Sequence, residues 1–97
     1  MDREALAARI EHTALGPTTT RADVRELLDV AIENGMRACV PPCQVSMARR
    51  YAPGVDLTTV VGFPHGQHTT ETKSAEAVEL ADSGADELDL VPNLGAL

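Results

Sequence analysis

Two stretches decide the fold, Ala31–Pro41 (AIENGMRACVP) and Leu80–Pro92 (LADSGADELDLVP). Each leaves a helical pattern through a glycine, Gly35 or Gly84. Each then enters a short apolar strand carrying one reactive side chain, Cys39 or Asp89, and closes at a proline. Glycine stops a helix because it takes the left-handed backbone of the C-terminal cap without a Cβ penalty. Proline ends the strand because it has no N–H to give to a ladder. A helix that feeds a strand through a single tight turn, twice in one short chain, is the mark of a repeated α/β unit.

Working outward, Thr20 followed three residues later by Asp23 predicts a helix start. Val24, Leu27, Leu28, Ala31 and Ile32 then recur as one apolar stripe up to Asn34-Gly35. A shorter helix is expected over Gln44–Ala52, with Val45, Ala48 and Tyr51 on one side, ended by Pro53-Gly54. LTTVVGF, Leu57–Phe63, is β-branched and apolar on both faces, as a strand covered on both sides is. Thr70 can cap a helix over Glu71–Ser83 with Ala77, Leu80 and Ala81 inward and Val78 alongside. At the start, Ala5, Leu6, Ala8 and Ile10 stand among charges as a short amphipathic helix, which EHTALGPTTT interrupts. The order helix, strand, helix, strand, helix, strand with short connections implies right-handed units and about three parallel strands.

Units of this kind build either an open doubly wound sheet or a closed (β/α)8 barrel. A barrel takes about 200 residues or more, so three strands in 97 residues would be a partial barrel domain, incomplete at the C-terminus. The last strand would present an uncovered edge. The chain is therefore expected to be part of something longer, or to pair with other chains.

Composition narrows the function classes. With 15 acidic against 8 basic residues there is no basic stripe for a phosphate backbone, and nucleic acid is not an expected partner. No apolar run approaches a membrane span, and MDREALAARIEH is charged where a signal peptide is apolar, so the expected address is cytoplasmic. The acidic balance with a single lysine hints at a salt-rich or GC-rich source. One Phe, one Tyr and no Trp leave the core to Val, Leu, Ile and Ala, a marginal inventory for a chain standing alone.

Among residues that could carry chemistry, Asp89 is the most informative. It sits mid-strand between Leu88 and Leu90, where a carboxylate must be desolvated unless it is paired or lines a site. If the leucines face the helices, alternation turns Asp89 inward near the carboxyl end of its strand, where barrel enzymes keep their catalytic groups. Cys39 ends the first strand and by itself reads first as a small buried hydrophobe, since free cysteine is among the most buried residue types. His65, His68, Thr69 and Thr70 crowd a loop before a helix N-terminus, a setting for a small anion or for a plain capping loop. Cys39 and Cys43 read as free thiols. Their combination with His65 and His68 as a zinc set is disfavoured by the short histidine spacing, so no metal is expected. Lys73, the only side-chain amine, sits beside Glu71 and Glu76, which oppose the lowered pKa an imine-forming lysine needs.

IEHTALGPTTTRADV, RACVPP, the loop and helix GFPHGQHTTETKSAEAVEL, and GADELDLVPNLGAL resemble, in that order, the N-terminal part of the deoxyribose-phosphate aldolase family. The resemblance implies a (β/α)8 TIM barrel. It implies a class I, Schiff-base, cofactor-free lyase that splits 2-deoxy-D-ribose 5-phosphate into acetaldehyde and D-glyceraldehyde 3-phosphate in deoxyribonucleotide catabolism, possible as a homo-oligomer. Asp89 matches the family's proton-relaying aspartate, Cys39 a cysteine near the substrate pocket, and Thr13 a substrate-contacting threonine at the pocket mouth. Glu11 stands where the family usually has aspartate, and Gly16 where lysine is common. The family's imine lysine, its partner lysine and its phosphate-binding loops match no residue of this chain, so these 97 residues alone are expected to be inactive. The alternative is a non-catalytic small α/β protein that self-associates or binds an anion at the GFPHG loop.

Overall fold

The computed structural model describes residues 1–97. The helix that Thr20 caps runs over Arg21–Asn34 (α2) and ends at Gly35 with φ 66°. The Thr20 hydroxyl accepts the Asp23 N–H and the Asp23 carboxylate accepts the Thr20 N–H, so two otherwise orphaned donors are satisfied reciprocally. The chain then enters β2 (Arg37–Cys39), turns through a short 3-10 segment at Pro42–Gln44, and forms α3 (Val45–Tyr51). β3 (Leu57–Val61) follows, then α4 (Thr70–Ser83), stopped by Gly84 at φ 113°, and β4 (Glu87–Leu90). A second 3-10 turn closes the chain at Leu94–Ala96. A five-residue helix, α1 (Arg3–Ala7), precedes everything and buries no residue.

The three expected strands are present and parallel, and a fourth joins them. Glu11–Thr13 forms β1, at the edge of a sheet ordered β1-β2-β3-β4. The segment had read as a break between helices. Three residues are too few for a hydrophobic period to register, and β1 exists because its backbone is paired. Arg37 N donates to Ile10 O at 2.9 Å and Ala14 N to Cys39 O at 3.0 Å.

Helices α2, α3 and α4 lie on one face of the sheet. Their shared core is aliphatic: Val24, Leu28, Ala31, Val45 and Ala48 from the helices pack with Ala38, Leu57 and Val61 from the strands and with Val40 just after β2. Each fully buried Leu or Val contributes on the order of 1.5–3 kcal/mol. Inside this layer the Thr59 hydroxyl donates to Val40 O at 2.8 Å, which satisfies the one polar group that faces it.

Several helix positions differ from the sequence reading. Ile32 is 55% and Val78 63% exposed, Ala81 is exposed, and only Leu80 of α4 is buried. α4 lies over the edge strand β4, and this chain supplies no further element to cover its outer side. The α4 cap is Thr69, whose hydroxyl accepts the Thr72 N–H at 3.2 Å, one residue before the expected Thr70. Tyr51 is also turned out, donating to Asp29 Oδ1 at 2.7 Å, because the hydroxyl needs a partner that the aliphatic core lacks. No helix is long and apolar enough to cross a membrane.

Candidate functional site

In a parallel ladder, laterally paired residues point to the same face and successive residues alternate. The register pairs Glu11 with Arg37 and Thr13 with Cys39, then Cys39 with Thr58, and Thr58 with Glu87 and Val60 with Asp89. These side chains therefore share one face. The opposite face holds Ala38, Leu57 and Val61 in the helix-covered core, with Leu88 packed against it. Leu88 and Leu90 line a 430 Å³ cavity with Lys73, Ser74 and Ala77 of α4. Asp89, between the two leucines, is thus turned away from the helices, as its alternation predicts.

The helix-free face carries two sets of side chains. At the amino ends of the strands, Arg37 Nε lies 3.8 Å from Glu11 Oε1, and the Arg37 guanidinium is ion-paired with Glu87. The Glu87 carboxylate, foremost, holds Arg37 still more firmly protonated than a free guanidinium. Two residues further toward the carboxyl end of each strand stand Thr13, Cys39 and Asp89; in the ladder Thr13 and Cys39 are level with Thr58 and Glu87, and Asp89, beside Val60, lies beyond them. Thr13 is exposed and its hydroxyl donates to Glu11 O at 3.3 Å. Cys39 is 2% exposed, and its thiol is pushed up to about 11, chiefly by burial and then by the charges of Glu11 and Asp89. It is a protonated, poorly nucleophilic thiol at neutral pH.

Asp89 is exposed and forms no ion pair; of the three states open to a mid-strand acid, desolvated, paired or lining an open site, it is in neither of the first two. The reason is that nothing in this chain covers the face it projects from.

Lys73 is committed elsewhere. Its Nζ donates to Gly66 O at 2.6 Å and to Val91 O at 3.0 Å, and so ties the loop after β3 to the end of β4. Nearby, Gly62 N donates to Glu76 Oε1 at 2.8 Å. Gly66 sits at φ 70°, and a Cβ there would overlap the Pro92 carbonyl, so the close approach of loop and strand end requires glycine. His65 and His68 are exposed on this loop. Cys43 is an exposed free thiol, and no group of three His, Cys, Asp or Glu side chains gathers closely enough to hold a metal ion.

The structure thus brings Thr13, Cys39 and Asp89 to one face, and leaves His65 and His68 on the separate loop after β3. The sequence reading missed the Glu11–Arg37–Glu87 ion-pair set. Its signal was available: each of the three charges precedes Thr13, Cys39 or Asp89 by two residues, the spacing that puts strand neighbours on one face.

Parallel strands with every packed helix on one face and polar side chains on the other are the arrangement of a (β/α)8 barrel wall, whereas an open doubly wound sheet carries helices on both faces. No protein-family model matches the chain. Deoxyribose-phosphate aldolase of Natronomonas pharaonis is 59% identical over 97 residues, covering all of this chain and 45% of the relative. The Thermotoga maritima aldolase is 45% identical over 97 residues, covering 97% of this chain and 39% of the relative. Among solved structures, the tetrameric deoxyribose phosphate aldolase of Aeropyrum pernix aligns with TM-score 0.86 and 39% identity, over 98% of this chain and 42% of that one. A putative deoxyribose-phosphate aldolase of Coccidioides immitis aligns with TM-score 0.87 and 35% identity, over 93% and 37%. The chain is a homologue of the deoxyribose-phosphate aldolases along its whole length, and it spans less than half of theirs. Its four strands correspond to part of their barrel.

Proposed function

We propose that this chain forms the N-terminal portion of a class I aldolase that cleaves 2-deoxy-D-ribose 5-phosphate to acetaldehyde and D-glyceraldehyde 3-phosphate through a lysine imine. In this reading the imine lysine comes from a part of the barrel beyond these residues. Asp89 accepts and returns protons through water as the carbon–carbon bond breaks, Thr13 hydrogen-bonds the sugar at the pocket mouth, and Cys39 lines the wall as a neutral thiol. The observation that carries the reading is that Thr13, Cys39 and Asp89 share the helix-free face near the carboxyl ends of parallel strands. An accessible carboxylate beside a high-pKa thiol suits proton relay rather than thiol nucleophilicity. A sugar phosphate is too polar to cross a membrane unaided, which fits the cytoplasmic address expected from the sequence.

A chimera tests this. Grafting residues 1–97 in place of the matching 45% of the Natronomonas pharaonis relative should give an enzyme that cleaves the deoxyribose phosphate and is trapped by borohydride with acetaldehyde. Asp89→Asn in that chimera should lower turnover by about a hundredfold or more with folding unchanged, the range of general acid–base catalysis. A folded but inactive chimera, or full turnover in the chimera carrying Asp89→Asn, would refute the reading. A self-associating, non-catalytic protein is the second reading, favoured by the 63% exposed Leu90 and 72% exposed Leu94 beside the open edge of β4. Size-exclusion chromatography of the 97-residue chain over a range of concentrations would reveal it as a discrete, concentration-dependent oligomer.

A further inference from the structure

We propose that Arg37 is a positioning residue: by pairing with Glu87 across β3 and with Glu11 beside it, it straps the two outer strands together and fixes how Asp89 faces Cys39 and Thr13. β2 and β4 are not neighbours, because β3 lies between them. Strands two apart are separated by roughly 10 Å, a gap that an extended arginine and glutamate can span together. Such a bond shortens the helix-free side of the sheet relative to the helix side, and so favours the curvature that closes a barrel. Under the strap lies Thr58, paired with Cys39 on one side and Glu87 on the other. It is fully buried, with an Oγ1 that has no hydrogen-bond partner, although no helix covers this face.

The strap's position gives it leverage. Glu11, Arg37 and Glu87 stand two residues before Thr13, Cys39 and Asp89 along their own strands, so each end of the strap fixes its strand directly below one of these three residues. Arginine suits the task better than lysine, since its planar fork reaches two carboxylates at once and stays charged. The charged groups that bear on Cys39 and Arg37 are Glu11 from β1, Glu87 and Asp89 from β4, and Asp56 just before β3.

The strap depends on the aldolase reading only for the roles given to Asp89 and Thr13, so its test uses a thiol rate and no enzyme activity. In a Cys43→Ser background, the reaction of Cys39 with methyl methanethiolsulfonate is timed at pH 8, with and without Asp89→Asn. Taking the ratio within each background cancels differences in access to the buried thiol. With Arg37 present, removing the Asp89 charge should speed Cys39 about threefold, because one of the carboxylates that disfavour the thiolate is gone. In Arg37→Met that acceleration should fall toward onefold, and Arg37→Lys should restore part of it. Should Arg37→Met not fold, Glu87→Gln cuts the same strap at a side chain that is half exposed. An equal acceleration with and without the strap, or none with it intact, would overturn the proposal. An inactive chimera would leave it standing.

Discussion

Arg49 and Asp86 bind α3 to the amino end of β4: Nη2 donates to Asp86 Oδ2 at 2.6 Å, and the same oxygen accepts the Leu57 N–H at 2.9 Å. The rest of the guanidinium is used on backbone, with Nε donating to Gly84 O at 2.9 Å and Nη1 to Pro53 O and Val55 O at 3.0 Å each. Gly84 belongs to this arrangement. A Cβ there would meet Arg49 Cγ at 2.7 Å, on a backbone already at φ 113°. One cation therefore gathers the ends of two turns and one strand, at the opposite end of the sheet from the site.

This makes Asp86 a pH-sensitive element of stability. The Leu57 N–H foremost, and then Arg49, hold its carboxyl below the usual carboxylate range. A carboxyl depressed by folding adds stability above its unfolded pKa of about 3.9 and loses it as pH falls through the lower folded value. Asp86→Asn should cost about 1 kcal/mol at pH 7, a figure lowered for solvent screening of this half-exposed pair, and reduce Tm by several degrees. Melts at pH 7 and pH 3 check the sign: the gap between the two proteins should narrow at the acid end.

Lys73 should behave as a staple and not as a nucleophile. Lys73→Met leaves the carbonyls of Gly66 and Val91 without their donor. Amide exchange over residues 62–68 and at Val91 should then accelerate by about tenfold or more, the equivalent of losing one charged hydrogen bond of about 1.5–3 kcal/mol. Borohydride with acetaldehyde should leave Lys73 unmodified in the 97-residue chain. Mass spectrometry of a tryptic digest reads this directly, and an adduct there would reassign the nucleophile.

The two cysteines should separate by pH. Exposed Cys43 should alkylate readily near pH 8, whereas Cys39, with its thiol raised to about 11, should lag by on the order of a hundredfold or more. The linkage runs opposite to that of Asp86. A thiol whose pKa is raised by folding contributes stability that is complete below its unfolded pKa of about 8.5 and is lost as pH rises toward about 11. Cys39→Ala should therefore flatten the alkaline fall in Tm that the parent chain shows across that interval.

The elements written in local pattern were legible without coordinates. The Thr20 cap, the Val24-Leu27-Leu28-Ala31 stripe and the Gly35 stop act within a few residues of one another, so the sequence reading and the structure agree on α2. The same holds for β3, whose five residues are all buried, and for the alternation that turns Asp89 away from Leu88 and Leu90. The GFPHG and ELDLVP motifs were legible in a second sense, since they carried the resemblance that the relatives support.

Other features arise only when distant segments meet. β1 is a strand because β2 offers it backbone partners, and three residues contain no period from which to foresee that. Ile32 and Val78 fit their apolar stripes yet face outward, because burial depends on what stands opposite and not on spacing along one helix. The bonds Arg37 makes to Glu11 and Glu87 join residues 26 and 50 positions away by subtraction of their numbers. The sequence determined which segments become helix or strand and which way their side chains alternate, since those follow from bonds between near neighbours. Only the tertiary structure decided which strands lie side by side, and with that which charges meet, because ion pairs form between groups close in space however far apart along the chain.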